Sequence, residues 1–305
     1  MKRLAPAALT AWFICASPAV AWESERLQSP VTVNRFEVRY PELAIFVMPR
    51  SPIQVTVAER ATLLFMGQHM PAMDAALKAP ARPGLEIMEI ENEVTGEIAR
   101  INVFTMVPAS AVRNGRLNGY RIGHYPAEPL RGLDIYRPPQ GFVEVTEENR
   151  DIRVSPNFTL GEFVAKQVSD WPKYVVLRTA LLVKLETILE ELNASGRPTG
   201  SLVIMSGYRT PHYNRAIGNV QYSRHVWGGA ADFYIDEAPA DGRMDDLNKD
   251  GKINKQDARW LANFVNGLSQ KGLFGEDVGG IGVYSSTSAH GPFVHVDVRG
   301  TRARW

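Results

Sequence analysis

Two short stretches of the 305-residue chain concentrate groups that bind metals and anions: Ser206 to Asp232, SGYRTPHYNRAIGNVQYSRHVWGGAAD, and His290 to Asp297, HGPFVHVD. His225 and Asp232 lie seven residues apart. Asp232 sits in Gly228-Gly-Ala-Ala-Asp-Phe-Tyr-Ile235, which starts with small residues and runs into a strand-like pattern, so that a backbone can pass close to an ion while one carboxylate points at it. His295 and Asp297 are two apart within Phe293 to Val298 and share a face of any strand there, with Val294, Val296 and Val298 on the other. A His, an Asp and a second His from separate segments make a three-ligand set that leaves zinc one open position for water, the mark of a catalytic site. Taken by spacing alone, His225 and His295 equally fit two partly buried histidines with hydrogen-bonded carboxylates nearby. Arg209, just before an expected helix start, offers a planar fork that suits the carboxylate of a peptide, or an ion pair within the fold.

A second constellation lies between the second and third of these candidate ligands. Asp246-Leu-Asn-Lys-Asp-Gly-Lys-Ile-Asn-Lys-Gln-Asp257 has the form of a twelve-residue calcium loop. Asp246, Asn248 and Asp250 fall at positions one, three and five, Gly251 at the sharp turn, Lys252 offers its carbonyl at seven, and Asp257 stands where a bidentate glutamate is usual. The expectation is one structural calcium ion, the alternative a polar turn capped by Asp257.

The strings Ser-Gly-Tyr-Arg-Thr-Pro-x-x-Asn (206–214), Ser-x-His-x-x-Gly-x-Ala-x-Asp (223–232), Gly-x-Gly-x-Tyr (280–284) and Phe-Val-His-Val-Asp (293–297) resemble, in order, the zinc D-Ala-D-Ala metallopeptidases, most nearly the branch of murein endopeptidase K. The resemblance covers about residues 154–305. It implies a hedgehog/D-Ala-D-Ala peptidase-like α+β domain with an antiparallel sheet and one catalytic zinc held by His225, Asp232 and His295. It implies Arg209, Tyr208 and Ser223 as substrate-side or loop-shaping groups, Asn214 in the same role, and His290 as a histidine that stabilises developing negative charge. Where several members place an acidic base three residues before the last ligand, this chain has Pro292, so Asp297 becomes the candidate base, with orientation of a ligand histidine as its alternative role.

The elements that must position these groups are legible in part. Thr159 with Glu162 forms a capping box, and Leu177, Leu181, Leu185, Ile188, Leu189 and Leu192 repeat at helical spacing, predicting a helix over 174–193. Leu202 to Met205 reads as a buried strand, and Thr210-Pro211 as an N-cap followed by a first-turn proline. Ahead of these, short turn-separated strand patterns (31–38, 44–47, 53–57, 85–90, 99–106, with a hairpin connection at 92–97) predict a small all-β sandwich or barrel. An irregular stretch with Tyr120, Tyr125, Tyr136 and Pro138-Pro139 follows, and His69 and His124 read as structural or surface residues. Residues 1–21, with Lys2, Arg3, an apolar run and Ala19-Val20-Ala21, read as a cleaved signal peptide. The division expected is therefore 1–21, 22–150 and 151–305, the last containing the loop 246–257.

Composition bounds the function. The only cysteine, Cys15, lies in the signal segment, so no disulfide framework is expected, and the formal charge of +1 becomes −1 without Lys2 and Arg3. Neither value favours a nucleic-acid or membrane-surface partner, and export without disulfides fits a bacterial periplasm. The leading expectation is an exported zinc peptidase acting on peptidoglycan stems or cross-links, an endopeptidase or a carboxypeptidase. The alternative is a non-catalytic zinc module that binds a cell-wall peptide or a protein partner.

Overall fold

The computed structural model describes Trp22 and residues 26–305; the expected signal segment lies outside the described residues. From Val31 to Pro108 the regular elements are strands. A five-stranded sheet runs in the order 42–47, 98–105, 84–92, 61–65, 68–71, and a four-stranded one in the order 36–38, 31–33, 52–56, 75–78. Pairing is antiparallel except between Glu42–Val47 and Ile98–Thr105, which run parallel. The alternation visible in the sequence at 53–57 appears as a strand whose Ile53 and Val55 are buried between exposed neighbours. The hairpin expected at 92–97 is present, with Asn92 Oδ1 accepting the amides of Val94 and Thr95.

The second half is a mixture of strands and three helices. α1 (Thr179–Ala194) buries Leu181, Leu185, Ile188, Leu189 and Leu192 on one side. It begins later than the predicted 174–193. Lys173–Val175 is a strand that pairs with Gly141–Val145, because Tyr174 and Val175 gain more from cross-strand packing than from a helical turn. α2 (Pro211–Ala216) starts where Thr210 caps it, its Oγ1 accepting the Tyr213 amide. α3 (Lys255–Gln270) opens with a capping box between Asn254 and Asp257.

A five-stranded sheet carries the chemistry, in the order 203–206, 230–234, 293–297, 280–284, 303–304, antiparallel apart from its last pair. Phe233, Val294 and Val296 turn to the core while Asp232 and His295 turn to the other side. α3 packs on the strands 280–284 and 293–297. α1, expected against this sheet, packs instead on 42–47 and 153–155, and meets the site sheet through buried Lys184, whose Nζ donates to the carbonyl of Asp297 at 2.6 Å. The buried hydrophobic cluster runs without a break from Val31 to Val298. Thr179 Oγ1 donates to the Ala44 carbonyl across it, at 2.9 Å. Among the described residues no helix is long and apolar enough to cross a membrane.

Leu185 is wholly buried in this core. Leu185→Ala should cost about 2–5 kcal/mol in equilibrium denaturation, by lost transfer energy plus the cavity left behind; a loss under about 1 kcal/mol would show that the site collapses or that α1 is not part of the shared core.

Candidate metal centre and its cavity

Strand register brings the candidate ligands together. Ser206, Asp232, His295 and Gly282 stand in one row across four adjacent strands, each directly opposite the next. His225 reaches the same point from a 3-10 turn, Arg224–Trp227, that ends at Gly228 with φ +62°; a Cβ there would lie 2.1 Å from the Val176 carbonyl oxygen. His225 Nε2 lies 3.1 Å from both Asp232 Oδ1 and His295 Nδ1, and those two atoms are 2.8 Å apart. Tetrahedral zinc with bonds of about 2.0–2.1 Å separates its ligand atoms by about 3.3 Å, so the triangle fits that ion with a small outward relaxation.

The other faces of the imidazoles settle which nitrogens are free. His225 Nδ1 donates to the Gly207 carbonyl at 2.6 Å, which leaves Nε2 as the lone-pair atom. His295 Nε2 donates to Asp297 Oδ2 at 3.3 Å, which leaves Nδ1 facing Asp232 and His225. Burial lowers the His225 pKa, in keeping with a neutral ligand. For His295 burial acts the same way, but the hydrogen bonds to Asp232 and Asp297 prevail and raise it. Asp232 is buried too, yet the two histidines hold its carboxyl well below the usual carboxylate range. Among the described residues this is the one group of three His, Cys, Asp or Glu side chains whose donor atoms converge.

The other expected site residues divide sharply. Arg209 donates through Nη2 to Asp232 Oδ2 and through Nε to Ser206 Oγ at 2.9 Å, so its fork holds the ligand carboxylate while its side chain still borders the cavity. Tyr208, expected near substrate, is 1 % exposed and its hydroxyl meets that of Tyr125 at 2.9 Å, away from the cavity. The Tyr-Arg dipeptide turns them to opposite sides. Ser223 lies on the cavity wall at the head of the 3-10 turn, and Asn214 Nδ2 donates to the Val220 carbonyl at 2.9 Å, shaping the intervening loop.

Asp297, expected as a base, stands behind His295. It is fully buried, Arg299 Nε donates to Oδ1 at 2.9 Å and to Oδ2 at 3.0 Å, and the Gly280 amide donates to Oδ1 at 3.0 Å. Burial opposes its charge, but His295 and Arg299 hold the carboxyl well below the usual range. Its geometry is that of a carboxylate that orients a ligand histidine. His290 also borders the cavity: its Nδ1 donates to the Gly291 carbonyl at 2.8 Å and its ring stands edge-on to Phe293, so Nε2 is the lone-pair atom of the neutral ring.

In the 246–257 loop the carboxylates serve local amides. Asp246 accepts from Asp250 and Gly251, Asn248 Oδ1 from Asp250, and Asp257 from Asn248 and Asn254. Asp257 is therefore the acidic partner of Asn254 in the capping box of α3; one methylene shorter than the usual glutamate, it spends both oxygens on backbone.

The cavity over the ligands measures about 720 Å³. Several of its walls were not evident from the sequence. Tyr136 and Tyr222 pack edge to face, and both meet Trp227. The irregular stretch 125–137 thus straps the His225 turn: Tyr125 Oη donates to the Val226 carbonyl at 3.0 Å, Trp227 Nε1 to that of Arg137 at 2.9 Å, and Arg224 Nη1 to that of Ile135 at 3.0 Å. Arg299 continues the alternation of His295 and Asp297, a signal that period-two reading could have extended. Trp305 carries no such signal.

Residues 156–264 match the family model described as Peptidase M15. The match contains Arg209, His225 and Asp232 and stops short of His295, which the strand register supplies. No curated protein matches the chain.

His225→Ala and His295→Ala should each abolish stoichiometric zinc retention in dialysed protein measured by atomic absorption. Asp297→Asn should retain zinc but about 10- to 100-fold less tightly in competition with a chelator; unchanged affinity would remove the orienting role.

Proposed function

We propose that this chain, whose residues 156–264 match the Peptidase M15 model and whose motifs resemble the zinc D-Ala-D-Ala peptidases, is an exported metallopeptidase that hydrolyses peptide stems or cross-links of peptidoglycan. The observation that carries the reading is the convergence of His225 Nε2, Asp232 Oδ1 and His295 Nδ1 on one point at the floor of an open cavity. Zinc held there supplies a water activated for attack near neutral pH and polarises the amide carbonyl.

The chain's own groups do the rest. Gly207 and Asp297 fix the two imidazoles, and Arg209 fixes the carboxylate. With Asp297 shielded behind His295, the proton-accepting role passes to His290 Nε2, the free imidazole nitrogen on the cavity wall. Tyr136, Tyr213 and Tyr222 provide apolar walls along which an extended peptide can lie.

The absence of any carboxylate but Asp232 from the described lining favours a second reading, a zinc module that binds cell-wall peptide without cutting it. Incubating the purified protein with intact sacculi separates the two: chelator-sensitive release of peptide fragments is expected, and sacculus binding without release selects the module. His290→Ala should retain zinc and lose about a hundredfold or more of turnover. A few-fold loss would leave the proton to solvent.

Calcium in the 246–257 loop belongs to the same reading, supported by the turn itself, where Gly251 stands at φ +80° and donates its amide to Asp246. Zinc-loaded protein should then melt higher with calcium, and Asp250→Ala should remove the increment. An unchanged melting temperature removes the ion from the reading.

A further inference from the structure

The outer flank of the candidate metal centre is closed by a residue ten positions beyond His295. The strand Ala303–Arg304 runs parallel to Gly280–Tyr284 and delivers Trp305 across it; the Trp305 carbonyl accepts the Val283 amide at 2.9 Å and the Trp305 amide donates to Ile281 at 3.3 Å. The indole lies on a seat made by two missing side chains. A Cβ at Gly282 would lie 2.5 Å from Nε1 and one at Gly280 2.7 Å from the far edge of the ring. The ring centre is 5.2 Å from that of His295, Nε1 donates to Tyr284 Oη at 2.7 Å, and the Arg299 guanidinium stands 5.3 Å over the ring. Trp305 nevertheless stays 48 % exposed and borders the cavity. A large apolar ring fixed on one side by glycines, a hydrogen bond and two strand bonds, and open on the other beside a ligand histidine, is built to meet something in the cavity.

We propose that Trp305 is a specificity-determining residue, the wall against which the residue flanking the scissile amide packs, and that the seat formed by Gly280 and Gly282 sets how much side chain that position admits. The inference deepens the peptidase reading and rests on it: the substrate class is a peptide with a small apolar side chain, such as alanine, beside the bond. An alanyl side chain gains apolar contact with the indole, whereas a leucyl one must displace a ring that Tyr284 and the strand hold in place. The Gly-x-Gly-x-Tyr string thereby acquires a physical role: the glycines seat the ring and the tyrosine holds its nitrogen.

Three variants test it, in zinc-loaded full-length protein with alanyl-alanyl and alanyl-leucyl peptides. Trp305→Ala removes the wall, Trp305→Phe keeps a ring, and Gly282→Ala leaves the tryptophan in the chain but pushes it off its seat. Zinc content and melting temperature report whether each variant is folded and loaded. Trp305→Ala and Gly282→Ala should lower kcat/KM for the alanyl peptide about tenfold, chiefly through KM, and shrink the alanyl-over-leucyl preference, while Trp305→Phe recovers part of both. Calorimetric binding of the same peptides gives a readout independent of turnover. If Trp305→Ala and Gly282→Ala bind both peptides as the parent does, or if the parent binds neither, the wall is overturned. If the parent binds the alanyl peptide with the expected preference but never cuts it, the peptidase reading fails and the wall stands.

Discussion

The pairing of Asp232 with His295 across two antiparallel strands is the constraint on which the site depends. Side chains on a strand alternate faces, so a slip of one residue in Phe293–Asp297 would send His295 into the core and bring Val294 or Val296 to the cavity. The apolar side of the same strands prevents that slip, since Phe233, Val294 and Val296 are buried against the interior. The hydrophobic pattern thus does double duty. It stabilises the sheet and, by choosing the register, aims two candidate metal ligands at one point, which the 3-10 turn carrying His225 then meets.

Charge is the second organising principle, and it is arranged in layers. Each of the two carboxylates of the centre has a guanidinium on its far side, Arg209 for Asp232 and Arg299 for Asp297, so neither is left as an unpaired charge in a place where that would be costly. Lys184 and Arg224 are buried nearby as well, and burial pushes their pKa values down to about 8 and about 10. Lys184 is satisfied by the Asp297 carbonyl, whereas Arg224 keeps Nε and Nη2 without a partner among the described residues. The region around the histidines is thus rich in cationic groups, a setting that attracts anionic ligands.

Much of the centre could be read from the sequence because its logic is local. The His225 and Asp232 strings, the period-two pair His295 and Asp297, the Thr210 cap and the Thr159 capping box each depend on spacings of two to seven residues. What escaped reading depends on contacts between distant segments. Lys173–Val175 joins an extended edge because Gly141–Val145 is there to pair with. Asp297 turned out to stand behind its histidine because Arg299 and the Gly280 amide hold it there. Tyr208 and Arg209 adjoin in sequence yet face opposite ways. The tyrosines of 120–136 looked like an irregular connector since nothing in their spacing reveals that Trp227 will pack among them.

The strap of residues 125–137 has a consequence for how this protein can be divided. Likeness to a family covers 156–264, and composition suggests a border near 150, but the turn that bears His225 is gripped from residues before that border and its partner ligand lies after the end of the match. Neither line encloses a transplantable part. A chimera or truncation cut at either one would carry two of the three ligands or lose the grip on the first, and Val226 and Trp227, now sealed, would become an exposed apolar patch. Modularity here follows the hydrogen bonds and the packed aromatics, and the smallest exchangeable unit reaches from the strap to the last strand of the site sheet.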